Sequence, residues 1–202
     1  MPSTGRASRT KAQQRLETTH ALVTTARHLF ATHGYSHVSL AQIVEATGVS
    51  KGALYHHFNG KDELFRAVLA QIHEEVANRV ADAAPDADPW TQLIAGCQAF
   101  LAASTEPGIH QIMLVDAPAV LGWGMWREMD AQTSMQQLEA GLTQLMSDGV
   151  ISRQPIRPLV HLLSGAMNEA ALWLAQSEDR DTDLLDTMAA LTCLLESLRT
   201  GP

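Results

Sequence analysis

Lys51, Gly52, Tyr55 and His56 have the spacing of one face of a short helix, whereas Leu54 and Phe58, four residues apart, turn to the other side. That face combines a positive charge, a missing side chain and two flat groups that form hydrogen bonds. It is the chemistry of contact with a duplex: lysine can reach guanine O6 or N7 in the major groove, and a glycine lets the backbone come close. His56 and His57 can meet phosphate or base according to protonation. A solvated face of a helical bundle can carry the same residue types, so the surrounding elements have to decide.

Those elements form a helix-turn-helix over residues 39–58. The first helix opens at Ser39, whose hydroxyl can accept from an unpaired backbone N–H, and it buries Leu40, Ile43 and Val44 at helical spacing. Gly48 tolerates the positive φ that ends a helix, Val49 fills the corner, and Ser50 caps the second helix. Upstream, Leu16, Leu22, Ala26, Leu29 and Phe30 mark the apolar stripe of a helix over 15–33, stopped at Gly34 and Tyr35. Downstream, Asn59 and Gly60 make a turn, and Lys61 opens another amphipathic helix with Asp62 and Glu63 in its first turn.

Over residues 15 to 70 the chain resembles the TetR family of bacterial transcriptional regulators. The likeness is carried by Phe30, Gly34 and Tyr35, the helix from Ser39 to Val44, Gly48, Val49 and Ser50, Leu54 and Tyr55, His57 and Phe58, and Lys61 with Leu64 and Phe65. The resemblance implies that Ser39, Tyr55 and Lys61 touch phosphates, and that Gln42, Lys51, Gly52, Ala53, His56 and His57 lie at or near the bases. Ser50 joins this set as the cap of the reading helix. The implied partner is double-stranded operator DNA with a palindromic sequence.

The charge distribution points the same way without using the motif. Residues 1–60 hold six basic side chains against two acidic ones, a net +4; residues 61–202 hold eight against twenty, a net −12. A basic end on an acidic body turns only the reading end toward a polyanion. Residues 1–14 are polar and basic and read as a disordered arm, with Arg6, Arg9 and Lys11 available to DNA. They lack the apolar core of a secretory signal, and no apolar run reaches the roughly 20 residues that span a bilayer. The expectation is a cytoplasmic protein without membrane contact.

The remaining chain shows helical periodicity and no strand pattern. Helices are expected over 61–83, 89–104, 107–116, 121–148, 156–176 and 182–199, with breaks at Pro85 to Pro89, Glu106 to Gly108, Ala117 and Pro118, Asp148 and Gly149, and Gln154 and Pro155. The fold class is therefore all-α, with about nine helices: a DNA-binding domain of three helices over 15–60, a linking helix over 61–83, and a ligand-binding and dimerisation domain over 84–202.

Two features of that larger domain suggest roles. Small residues among leucines in 159–175, followed by a long apolar face in the last helix, provide more apolar surface than one chain covers. In TetR-like proteins the corresponding helices pair about a twofold axis, which implies a homodimer through Leu162, Gly165, Ala166, Leu172, Leu184, Met188, Leu191 and Leu195. Two copies of the reading helix would then meet the two halves of a palindrome. The second feature is Gly122 and Gly124 beside Trp123 and Trp126, which suggests space left for a ligand. The helices around it enclose an effector cavity in TetR-like regulators. Its expected lining is Phe100, His110, Met113, Leu114, Trp123, Trp126, Met129, Met167, Asn168 and Trp173, with His110 or Asn168 as polar anchors for a small apolar effector.

Other classes find less support. Cys97 and Cys193 lie in apolar helical patterns with no basic neighbour in sequence, which suits packing better than a thiol switch. His110, Asp116, His161 and Glu169 could converge on a metal, but their spacing matches no ligand signature, and no phosphate loop or nucleophile elbow is present. Neither catalysis nor a cofactor is expected. The reading is a dimeric regulator, a repressor released from its operator by an effector; the alternative is a DNA-binding protein of the same fold without effector control.

Overall fold

The computed structural model describes residues 10–200, so Arg6 and Arg9 of the expected arm lie outside the described residues. Two compact units divide between Val68 and Leu69, inside a single continuous helix.

The first unit opens with α1, Lys11–His33. This helix starts inside the stretch expected to be an arm, because Thr10 and Gln13 form a reciprocal cap: the Thr10 hydroxyl accepts from the Gln13 N–H at 3.2 Å, and Gln13 Oε1 accepts from the Thr10 N–H at 2.9 Å. Leu16 is exposed, and the buried stripe of α1 runs through Leu22, Val23, Ala26 and Phe30 instead. Gly34, at φ 76°, ends the helix and donates to the Phe30 carbonyl. A 3-10 turn, Tyr35–His37, leads to α2, Leu40–Thr47, and α3, Lys51–His57. Between them Gly48 adopts the left-handed conformation at φ 74°, ψ 10°, the geometry its place in the turn predicts.

These helices close around Ile43 of α2, Leu54 of α3, Phe58 and the first turns of α4, Lys61–Ala81, where Leu64, Phe65 and Val68 are buried. Phe30, Tyr35 and Phe65 form a ring cluster with centroids 4.9 to 5.6 Å apart.

The second unit contains the rest of α4, then α5, Pro89–Ser104, and a continuous helical run from Pro107 to Leu121. That run comprises α6, Pro107–His110, a π turn, Gln111–Asp116, and α7, Ala117–Leu121. It is followed by α8, Trp123–Ala131, α9, Ser134–Ser147, α10, Ile156–Leu174, and α11, Arg180–Glu196. Helices α5, α9 and α10 pack on one another, and α11 packs on α5 and α10. Leu101, Ile109, Leu142, Ala171 and Leu195 are among the buried residues of this core.

Two expectations about breaks are corrected. Pro118 does not stop the helix, because the π turn before it widens the backbone: the Ala117 N–H bonds to the Ile112 carbonyl, five residues back, which relieves the clash a proline makes in an α-helix. The expected single helix over 121–148 is three pieces, broken at Gly122 with φ 78° and again around Gln132 and Thr133. The described residues contain no strand, only one bridge between Ile151 and Arg199.

Candidate nucleic-acid interface and ligand pocket

The reading face is built by caps. Ser39 accepts from the Gln42 N–H at 3.3 Å while Gln42 Oε1 accepts from the Ser39 N–H at 2.7 Å, so this pair fixes the start of α2 and leaves the Gln42 NH2 for an outside partner. Ser50 accepts from the Ala53 N–H at 3.1 Å and starts α3. With Leu54 and Phe58 buried, Lys51, Gly52, Tyr55 and His56 are exposed together and Ala53 is half-buried.

Gly52 has no intramolecular reason to lack a side chain. A Cβ built there meets nothing nearer than Ser50 Oγ at 4.0 Å. A glycine inside a helix costs about 1 kcal/mol relative to alanine, so its place on the exposed face suits close approach by a molecule outside the protein. At the edge of the same unit, Lys61 Nζ lies 3.8 Å above the Tyr35 ring, and the Tyr35 hydroxyl donates to Asp62. Burial, followed by that bond to Asp62, raises the Tyr35 phenol well above its ordinary pKa and keeps it a donor. This aromatic seat positions the ammonium at the start of α4.

The two neighbouring histidines differ. His56 is exposed, whereas His57 is half-buried, with Nδ1 2.9 Å from Thr19 Oγ1 of α1. Desolvation, with His56 and Arg15 adding to it, lowers the His57 pKa. His57 thus ties α3 to α1 through one ring nitrogen, beside the face on which it was expected to meet phosphate or base. Lys11, Arg15, His56 and His57 line a shallow cleft between α1 and α3, which extends basic surface beside the reading face.

A cavity of about 490 Å³ opens in the second unit, between the end of α4, α5, α8, α9 and α10. Its apolar wall includes Leu93, Phe100, Met135, Leu138 and Met167; its polar residues include Gln92, Asp130, Gln137, Gln144 and Ser164. Cys97 also lines it, and burial pushes that thiol up to about 12, which keeps it neutral. Asp130 is 6% exposed and bridges to Arg127 at 2.8 Å; Arg127 also donates to Ser164 Oγ at 3.1 Å and lies over the Trp123 and Trp126 rings.

Of the ten lining residues expected from sequence, Phe100 and Met167 reach this cavity. His110, Met113, Leu114, Trp123, Trp126, Met129, Asn168 and Trp173 do not line it. Trp126 is buried, with its indole bonded to a backbone carbonyl, while Trp123 is 65% exposed. Gly122 serves a positive-φ break and a Cβ at Gly124 would meet open space; neither glycine lines the cavity. The sequence signal lay elsewhere, in small residues on facing helices. Gly96 of α5 sits where a Cβ would be 3.2 Å from Val80, and Gly141 of α9 where it would be 3.9 Å from Leu93.

Of the eight residues expected at a dimer interface on α10 and α11, Leu162 and Ala166 are exposed in the single chain. Leu191 and Leu195 are buried within the subunit, and Leu172, Leu184, Met188 and Gly165 are half-buried. Leu162, Ala166, Trp173, Leu185 and Leu194 are exposed, with Leu162 at 72% and Trp173 at 51%. A rotation of about 100°, one residue step along a helix, separates the two sets at 165 and 166, 172 and 173, 184 and 185, and 194 and 195. Among the described residues, His110, Asp116, His161 and Glu169 form no metal-binding group, and no helix is long and apolar enough to cross a membrane.

Comparison with known proteins matches both units. Residues 22–68 match the family model described as bacterial regulatory proteins, tetR family, and residues 90–198 match the model described as tetracyclin repressor-like, C-terminal domain. The HTH-type transcriptional repressor AcnR of Corynebacterium jeikeium is 42% identical over 57 residues, 28% of this chain and 30% of that protein. The HTH-type transcriptional regulator TtgR of Pseudomonas putida is 36% identical over 83 residues, 40% of this chain and 39% of the relative. The chain thus spans less than half the length of these curated relatives. A crystal structure of a TetR-family transcriptional regulator from Pectobacterium atrosepticum aligns over 96% of this chain and 100% of its own, at 36% identity and a TM-score of 0.78.

Proposed function

This chain belongs to the TetR family of bacterial transcriptional regulators, and we propose that it is a homodimeric repressor that binds a palindromic operator and is released by a small, largely apolar effector. The observation that carries the DNA reading is the exposed face of Lys51, Gly52, Tyr55 and His56, with a glycine that nothing inside the protein requires. Lys51 and His56 read base edges; Tyr55, Ser39 and the seated Lys61 hold phosphates, and the Gln42 NH2 reaches the groove edge. Two copies, paired through the outward faces of α10 and α11, present two reading helices to one operator.

Effector control runs through α4. Its residues Leu64, Phe65 and Val68 belong to the core of the first unit, and its residues Val80 and Ala81 line the cavity. A ligand that favours one position of that helix changes the spacing of two reading helices, and phosphate contacts on both are lost together. The protein acts in the cytoplasm and is not an enzyme.

The test is selection of bound sequences from a randomised duplex pool with the full chain, followed by fluorescence anisotropy. Enrichment of a palindrome bound by a dimer is the expected result. Binding with no sequence preference, or to a single half-site by a monomer, would defeat the proposal.

A further inference from the structure

The cavity of about 490 Å³ is of small-molecule size, and the orientation of its polar side chains narrows what can fill it. Gln92 Nε2 donates to the Pro85 and Ala87 carbonyls at 3.0 and 2.9 Å. Gln137 Nε2 donates to the Ala77 carbonyl at 3.1 Å, and Gln144 Nε2 to the Asp148 carboxylate at 2.9 and 3.0 Å. Each amide is fixed in this sense, because turning it over would set its oxygen against another oxygen. Gln92 and Gln144 thus spend their N–H groups within the protein and keep the acceptor, Oε1, while Gln137 has one N–H engaged. In Gln137 that oxygen is buried and has no partner among the described residues.

Of the two serines on the wall, Ser134 has a hydroxyl that can donate or accept, and Ser164 is committed within the protein. Arg127 donates to the Ser164 oxygen, so the Ser164 O–H turns to Asp130 Oδ2, 3.5 Å away. The Asp130 carboxylate lines the cavity and its counter-ion Arg127 does not. No lysine, arginine or histidine is among the lining residues.

We propose that this cavity takes a small apolar molecule whose polar end donates hydrogen bonds, a phenol or an amine, and that it discriminates against carboxylates. The inference rests on the reading of the cavity as the effector site. A donor finds amide oxygens and the Asp130 carboxylate on the wall, whereas a carboxylate meets a like charge at Asp130 with no basic side chain among the lining residues.

A matched series tests this by titration calorimetry on the full chain: para-butylphenol, para-butylbenzylamine, butylbenzene and para-butylbenzoate, near neutral pH. The phenol, the amine or both should bind about tenfold more tightly than butylbenzene, and the benzoate more weakly than butylbenzene. Which donor leads shows whether the Asp130 charge or the neutral acceptors dominate. Asp130→Asn should reduce the donor advantage and the penalty on the benzoate while butylbenzene still binds. Benzoate binding as tight as the better donor, or donors no tighter than butylbenzene, would overturn the donor rule and leave the effector site standing. No binding by any of the four would remove the effector site itself.

Discussion

The Trp126 indole N–H donates to the Met113 carbonyl at 2.8 Å. In the π turn the Ala117 N–H reaches back five residues to Ile112, and the next donor in that register is residue 118, a proline without an N–H. Trp126 supplies the missing hydrogen, so the carbonyl that the proline leaves without a donor is matched by a tryptophan from α8. That bond holds α8 against the π turn and sets where Arg127 and Asp130 lie.

Replacing Trp126 by Phe should destabilise the protein by about 1–3 kcal/mol, because a buried carbonyl is left without a donor. In a Pro118→Ala background the alanine N–H can take over, and the loss on Trp126→Phe should shrink. Denaturant unfolding of the four members of the cycle measures the coupling; additive effects would contradict the shared carbonyl.

Gly52→Ala should move stability and binding in opposite directions. The new methyl group has room, so the fold gains up to about 1 kcal/mol of helix propensity, while the duplex is kept at a distance. Thermal melting and operator anisotropy on the same preparation check both signs.

His73 gives a pH dependence. It is buried, with Nδ1 beside Thr133 Oγ1, and its pKa is lowered by desolvation, against which nearby Asp130 acts. The unfolded chain therefore takes up the proton first as pH falls through the ordinary histidine value of 6.5. The full contribution of neutral His73 is present above that value and declines below it until the folded-state pKa is reached. His73→Asn should flatten the fall in melting temperature just below pH 6.5; an unchanged slope would assign it to other groups.

Lys61 and Lys51 should separate by selectivity. Lys61→Ala weakens binding to operator and unrelated DNA alike and lowers the salt slope by about one. Lys51→Ala also relaxes base preference, by about 1–3 kcal/mol at the base it reads. Equal loss on every sequence for Lys51→Ala would reduce it to a phosphate contact.

Leu162→Glu combined with Leu185→Glu should convert the proposed dimer to monomers in sedimentation, with each subunit still folded, because both side chains are exposed in the single chain. Loss of helical signal instead would place them in the subunit core.

The helix-turn-helix was legible because local rules govern it. Ser39, Gly48 and Ser50 act within a few residues of themselves, and Leu54 and Phe58 need only helical spacing to turn inward. The cavity was not legible, because its walls are ordinary amphipathic helices. Nothing in the spacing of Leu93, Gly96 and Cys97 tells that their neighbours across the gap are Met135 and Leu138. The tryptophans misled for the same reason: Trp126 answers a carbonyl thirteen residues away, and Trp173 faces outward.

By itself the sequence determined the all-helical class, the caps and turn of the reading unit, the family, and the split between a basic end and an acidic body. These depend on backbone preferences, short-range spacing and charge counts, which a linear chain carries in full. Only the tertiary structure decided that His57 ties α3 to α1, that the outward face of α10 runs through Leu162 and Trp173, and that the cavity lies between α5 and α9 with acceptors on its wall. Those features depend on the rotation of each helix about its axis and on which carbonyl each glutamine finds, and packing between distant segments sets both.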